Sequence, residues 1–333
     1  MKVYFYKINN IKKCSNYKRY WSEQIFNGIK NYLNKIIIVN NILKANIIFT
    51  IVDFVEEIEN KIKLNELKIK LIIINCGDTI IINKNILLNP NILYIFDHLK
   101  LKYIPNNLLL THKSYSKYFL NNCHNKYNNI ITQDDNLKNI YLKNIYLKKT
   151  KAILNTSKLY SKLFNNKVST IHDRIIDIAF IGTINYDCEP ISSYRKDIVT
   201  RLKELRKKHN LNIYLGNNDD GNKMKLNDYY RILKKTKIFI SPWGYGEWSL
   251  KEFECICFGV HCMIPTKNLI NYPNFYENFD DYNNDFSDFE TKLLLLLNNL
   301  DQTQEKINKN HKLFLEYSHE KQIKNIENLL LQN

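Results

Sequence analysis

The run LIIIN at residues 71–75 carries no polar residue before its last position and passes straight into Cys-Gly-Asp. A strand with one wet face alternates apolar and polar residues, whereas an unbroken apolar run before a turn marks a strand covered on both faces. Helices packed on either side of a parallel sheet provide that cover. Two further strand candidates end at turns: DIAFI at 177–181 leads into Gly182, and KIFIS at 237–241 leads into Pro-Trp-Gly.

Around these runs the chain alternates between strand-like and helix-like segments. Strands are expected at 1–8, 36–39, 45–52, 71–75 and 91–96, with a weaker one at 129–132; helices are expected at 15–33 and 53–67. Residues 133–170 are polar and lysine-rich, with no convincing buried strand. A second series follows, with strands at 177–181, 211–215, 237–241 and 260–265 and helices at 192–209, 226–235 and 247–258. The tail from 288 to 330 reads as helical and the asparagine-rich patch 278–284 as a loop. The expected organisation is α/β, with two Rossmann-like doubly wound domains facing a cleft. Residues 1–150 form the first and 175–310 the second, with a linker at 151–174 and a final helix at 311–333 that packs back on the first. Ligands in such sheets bind beyond the carboxyl ends of the strands.

The 333 residues suffice for two domains of roughly 150 residues each. A hydrophobic fraction of 44% excludes wholesale disorder, and no apolar run approaches the roughly 20 residues that cross a bilayer. The N-terminal MKVYFYKINN reads as a strand, not a secretion signal, and seven irregularly spaced cysteines suit free thiols; both lead to a cytoplasmic expectation. The net charge of +16 admits a nucleic acid or a membrane surface as partner. Much of it, however, follows the Lys, Asn, Ile and Tyr excess of an AT-rich genome, such as a virus or protist carries. Nucleic acid is therefore not the expected partner.

Three of only eight glycines fall within SPWGYGEWSLKEFECICFG, residues 241–259. A strand that hands over to a helix through such a loop brings backbone N–H groups and the positive end of a helix dipole toward an anion. In the helix expected at 247–258, Glu247, Lys251 and Glu254 fall within roughly 60° of one another, apart from Leu250, Phe253 and Cys257.

This stretch, extended to SPWGYGEWSLKEFECICFGVHCMIP, resembles the C-terminal signature of GT-B glycosyltransferases, in the branch that includes exostosin-like and group 1 enzymes. The resemblance implies that Glu254 grips the ribose hydroxyls of a nucleotide. It further implies that Lys251 or the loop amides of Trp243, Gly244, Tyr245 and Gly246 meet the diphosphate, and that Glu247 lies near the transferred sugar. Upstream, DIAFIGTINYDCEPISSYRKDIVTRL resembles the first strand, turn and arginine-bearing helix of the same domain. There Gly182 and Thr183 would approach the phosphates and Arg195 would neutralise them. The two matches cover about residues 177–276. Two departures stand out: lysine at 251 where arginine is frequent, and six residues between the glutamates where the widest-spread retaining enzymes have seven. Retention or inversion is therefore not carried over.

Asp134-Asp135, Asp219-Asp220 and Asp280-Asp281 are adjacent pairs, and no Asp-x-Asp occurs. The expectation is a transferase of hexosyl or pentosyl groups with no cofactor and no metal, in which helix dipoles and the cations Lys251 and Arg195 stabilise the leaving group. The donor is a nucleotide sugar such as a UDP- or GDP-sugar; the acceptor is a glycan, glycoprotein or glycolipid. An inverting enzyme needs a general base, for which Asp78 and His98 stand at expected strand ends of the first domain. Trp243, Tyr245 and Trp248 offer rings for stacking or for packing. Cys255, Cys257, His261 and Cys262 read as core residues in preference to zinc ligands, since Cys255 and Cys257 point some 200° apart on a helix. Two rivals remain: a sugar-nucleotide epimerase or hydrolase on the same fold, and a basic nucleic-acid-binding protein.

Overall fold

The computed structural model describes residues 1–6, 35–51, 54–62, 64–74, 88–97, 100–101, 150–152, 168–186, 189–217, 224–244, 249–266, 269–270, 275–316 and 319–331. Within them lie two doubly wound parallel sheets with helices on their faces, the α/β layout that the resemblance implies. The expected helix at 15–33 and strand at 129–132 fall outside the described residues, as do Asp78 and His98.

The first sheet contains β1 (Lys2–Phe5), β2 (Ile37–Ile38), β3 (Ile47–Ile51), β4 (Lys70–Ile74) and β5 (Ile92–Asp97). Strand β6 (Lys100–Leu101) lies apart from it, and β7 (Thr150–Ala152) completes the spatial order β2-β1-β3-β4-β5-β7. All its pairings are parallel. The apolar runs are buried on both faces, as their lack of alternation requires. Ile48, Leu71, Ile73 and Ile95 pack with Val55 and Ile58 of helix α1 (Val55–Lys61), while Leu64 from the short α2 (Leu64–Leu67) joins the same cluster.

The second sheet is built from β8 (Ile176–Gly182), β9 (Ile213–Asn217), β10 (Thr236–Ile240), β11 (His261–Pro265) and β13 (Asp280–Tyr282), in the order β13-β11-β10-β8-β9. Strand β12 (Leu269–Ile270) instead pairs antiparallel with β6. Helices α3 (Glu189–His209), α4 (Leu226–Lys234) and α5 (Leu250–Phe258) form the crossovers. On one face Ile178, Phe180, Ile238 and Ile240 meet the α3 stripe Ile191, Tyr194, Ile198, Leu202 and Leu205, whose spacing of three and four is that of an amphipathic helix. On the other face Ala179, Ile181 and Phe239 meet Tyr229 and Leu233 of α4 and Phe253 and Ile256 of α5.

The tail folds as α6 (Phe289–Asn298), α7 (Leu300–Glu316) and α8 (His319–Leu331). Ile326 and Leu330 of α8 lie in one cluster with Val3, Ile47, Phe49, Ile72 and Ile74 of the first sheet. No helix among the described residues is long and apolar enough to cross a membrane.

Two expectations need correction. The asparagine-rich patch is not a loop: residues 280–282 form β13, because Asp280, Asp281 and Tyr282 pair edgewise with β11, and an edge strand needs few apolar side chains. Within 133–170, the three residues of β7 add a parallel strand beside β5, a segment too short to show periodicity. Arg174 is buried. Its guanidinium donates to the carbonyls of Ser169 (3.1 Å), Thr236 (2.8 Å) and Phe258 (2.9 Å). It thereby satisfies a last-turn carbonyl of α5, and burial pulls its pKa down to about 10.

Candidate functional site

In the second sheet, the chain leaves β8 toward β9 on one side and leaves β10 toward β11 on the other. The loops beyond these two adjacent strands therefore diverge and open a crevice at the point where the strand order reverses, the place where doubly wound sheets hold ligands. Gly182 ends β8, and Ser241 to Gly244 follow β10.

Two cations converge on this crevice. Arg195, carried by α3, is buried; its Nε donates to Trp243 O at 2.8 Å and its Nη1 to Thr183 O at 2.7 Å. The ring of Tyr186 lies 4.7 Å beneath its guanidinium carbon. Lys251, in the first turn of α5, donates from Nζ to Ile181 O. The absence of a side chain at 182 leaves room for both. A Cβ there would stand 2.9 Å from Lys251 Nζ and 3.2 Å from Arg195 Nη1, and one at Gly244 would stand 3.5 Å from Arg195 Nη2.

The local sequence explains why Lys251 sits where it does. Ser249 adopts an extended conformation and caps α5, its hydroxyl accepting from Lys251 N at 3.3 Å. The helix therefore begins at Leu250, and Glu247 precedes the cap; the shared helical face expected for Glu247, Lys251 and Glu254 shrinks to the last two. A lysine in a first turn opposes the helix dipole. Burial, together with the Arg195 guanidinium, pulls its pKa down to about 8. Two cations at a positive helix end are unfavourable for the isolated protein and become favourable once an anion enters.

Helix α5 also carries two buried carboxylates that point to opposite sides. Glu252, 1% exposed, has both oxygens engaged: Ser241 Oγ donates to Oε1 at 3.1 Å and Tyr276 OH to Oε2 at 2.7 Å. Glu254, 8% exposed, accepts from Tyr229 OH at 2.8 Å on Oε2. Among the described residues its Oε1 has no hydrogen-bond donor. Burial raises the Glu254 pKa, while the Tyr229 hydrogen bond and Lys251 oppose that rise. Glu252 is a satisfied structural carboxylate, and Glu254 retains capacity to accept from a ligand.

Gly182, Thr183, Arg195, Gly244, Lys251 and Glu254 are thus assembled around the ends of β8 and β10. Trp243 contributes its carbonyl there: the residue is 1% exposed and its indole donates from Nε1 to Asn284 Oδ1 at 2.8 Å, so the ring is packing and offers no stacking platform. Tyr245, Gly246, Glu247 and Trp248 lie outside the described residues. Sequence reasoning missed Tyr229, Glu252, Tyr276 and Ser241, because polar partners from separate elements leave no spacing signal. Cys255, Cys257, Cys262 and His261 are buried; His261 Nε2 stands 2.8 Å from Asp280 Oδ2, which Lys306 also contacts at 2.7 Å. Burial tends to raise the Asp280 pKa, but His261 and Lys306 outweigh it and hold the value at about 2. No group of three His, Cys, Asp or Glu side chains suited to a metal ion occurs among the described residues.

No protein-family model and no curated protein matches the sequence. Solved structures with a similar course include a variant of S. aureus TarM in complex with fondaparinux, alpha-GlcNAc-glycerol and UDP, at 18% identity and TM-score 0.46 over 82% of this chain and 57% of that one. A GtfA/B complex follows, at 8% identity and TM-score 0.48 over 94% of this chain and 60% of that one. A UDP-forming alpha,alpha-trehalose-phosphate synthase from Burkholderia xenovorans in complex with glucose-6-phosphate matches at 8% identity and TM-score 0.44, over 96% of this chain and 79% of that one. The chain spans less than two thirds of the first two of these. Each of these three scores lies below 0.5.

Proposed function

We propose that this chain is a GT-B glycosyltransferase that moves a hexosyl or pentosyl group from a nucleoside diphosphate sugar to an acceptor hydroxyl. The observation that carries the reading is the convergence of Arg195 and Lys251 on Gly182 and Gly244 at the reversal of strand order, with the half-engaged Glu254 one helical turn along. The cations and the N-terminal amides of α5 receive the diphosphate, and Glu254 accepts from the ribose. As the glycosidic bond breaks, negative charge grows on the leaving diphosphate, and cations already in place stabilise it without a metal ion. The acceptor, a glycan, glycoprotein or glycolipid, is deprotonated by a base from the first domain, for which Asp78 and His98 remain the candidates. Glu247 stays the candidate beside the transferred sugar.

A thermal-shift series with UDP, GDP and ADP tests the reading, since a ligand that binds only the native state raises its melting temperature. At least one should do so in the wild type. Gly182→Ala should weaken that nucleotide about tenfold or more, because the added methyl meets the ends of both cations that would receive the diphosphate. No shift with any of the three removes the basis of the proposal. Product analysis then separates transfer from its rivals: a free sugar or an epimer without a glycosylated acceptor identifies a hydrolase or epimerase.

A further inference from the structure

We propose that Tyr229 is a positioning residue that makes the nucleotide site selective for ribose over deoxyribose, an inference that rests on the donor-binding reading above. Tyr229 is buried on α4, and its ring centroid lies 5.6 Å from that of Tyr230. Its hydroxyl donates to Glu254 Oε2 across the interface between α4 and α5.

A carboxylate side chain turns about its terminal torsion with little hindrance, because that torsion has broad, two-fold wells. A hydrogen bond to one oxygen removes this freedom. With Oε2 held by Tyr229, the carboxylate loses this rotation and Oε1 is left without a donor among the described residues. The same bond favours the ionised form against burial, which otherwise drives Glu254 toward protonation. Ionisation decides the chemistry: a carboxylate only accepts, and a ribose hydroxyl donating to it forms a charge-assisted bond. A deoxyribonucleotide leaves that oxygen dehydrated and without a donor, a penalty a freely turning or protonated carboxyl would escape. Glu252 shows the alternative outcome on the same helix: two hydroxyl donors occupy both oxygens, and nothing is left for a ligand.

The experiment measures affinities of the whole chain for UDP, GDP and ADP and for their 2′-deoxy and 3′-deoxy forms. In the wild type, one deoxy form should bind about ten- to hundredfold more weakly than its ribose parent, the range of a hydrogen bond to a charged group. Tyr229→Phe removes one oxygen and keeps the ring. It should weaken the ribonucleotide while leaving the deoxynucleotide nearly unchanged, so that discrimination falls to a few fold. Glu254→Gln approaches the same bond from the other side and should also collapse discrimination, and the double variant should lose little beyond Glu254→Gln alone. Equal losses for ribose and deoxyribose forms in Tyr229→Phe, or discrimination as large as in the wild type, would overturn the positioning role while leaving nucleotide binding intact. If no nucleoside diphosphate binds the wild type, both the site reading and this inference fall.

Discussion

At the scale of single residues, the proposed donor site is most directly tested at Lys251. A partly buried ammonium in a first helical turn beside Arg195 has its pKa drawn down to about 8 by burial and by that neighbour. A bound diphosphate favours the charged form and raises that value, so binding takes up a proton wherever Lys251 is neutral in the free protein. Affinity should be level below about pH 8 and then fall by up to tenfold per pH unit above it, until the pKa of the complex is passed. Isothermal titration from pH 6.5 to 9.5 checks this. Lys251→Met should bind more weakly and lose the alkaline limb, and an unchanged limb in that variant would assign the titration to another group. Lysine, glycine and glutamate at these positions are legible in the sequence because loop and helix place them at short spacing. Arg195 is legible only through the resemblance of its stretch, and Tyr229 not at all, because its bond to Glu254 spans 25 residues of chain.

At the scale of elements, helix α5 is defined by its two ends. Ser249 stops it from reaching back to Glu247, and Gly259 closes it in the left-handed region with φ of 61°. A Cβ at Gly259 would lie 2.0 Å from Val168 Cγ1, so the position excludes a side chain on two independent grounds. Gly259→Ala should therefore cost about 1–2 kcal/mol for the left-handed backbone and about 1–3 kcal/mol for overpacking. Urea denaturation of Gly259→Ala with and without Val168→Ala separates the two, since the second change relieves only the clash. No recovery in the double variant would show that contact with Val168 is not the source. The C-terminal glycine and the apolar strand beside it are readable from sequence, whereas the start of α5 is misread. Glu247 continues the apparent helical pattern in the sequence, whereas the extended backbone of Ser249 sets the start of the helix at Leu250.

At the scale of the whole molecule, the chain's last helix is tied to its first strand. Ile326 and Leu330 are buried among Val3, Ile36 and Ile47, while the adjacent Leu331 is exposed. Ile326→Asp should destabilise by about 3 kcal/mol or more, since it leaves an unpaired charge in an apolar cluster, whereas Leu331→Asp should stay within about 0.5 kcal/mol. Matched denaturation curves for the two variants would contradict this packing. The apolar stretches at 47–49, 71–74, 178–181 and 238–240 by themselves determined that strands must be covered on both faces, and so an α/β architecture, because burial of such stretches admits no wet side. Strand order is a different kind of information. Only the tertiary structure decided that β8 and β10 are neighbours with diverging loops, that Arg195 and Lys251 share one crevice, and that Tyr229 holds one oxygen of Glu254. Pairing and convergence depend on distances between segments far apart in the chain, and hydrophobic periodicity, a local property, does not encode them.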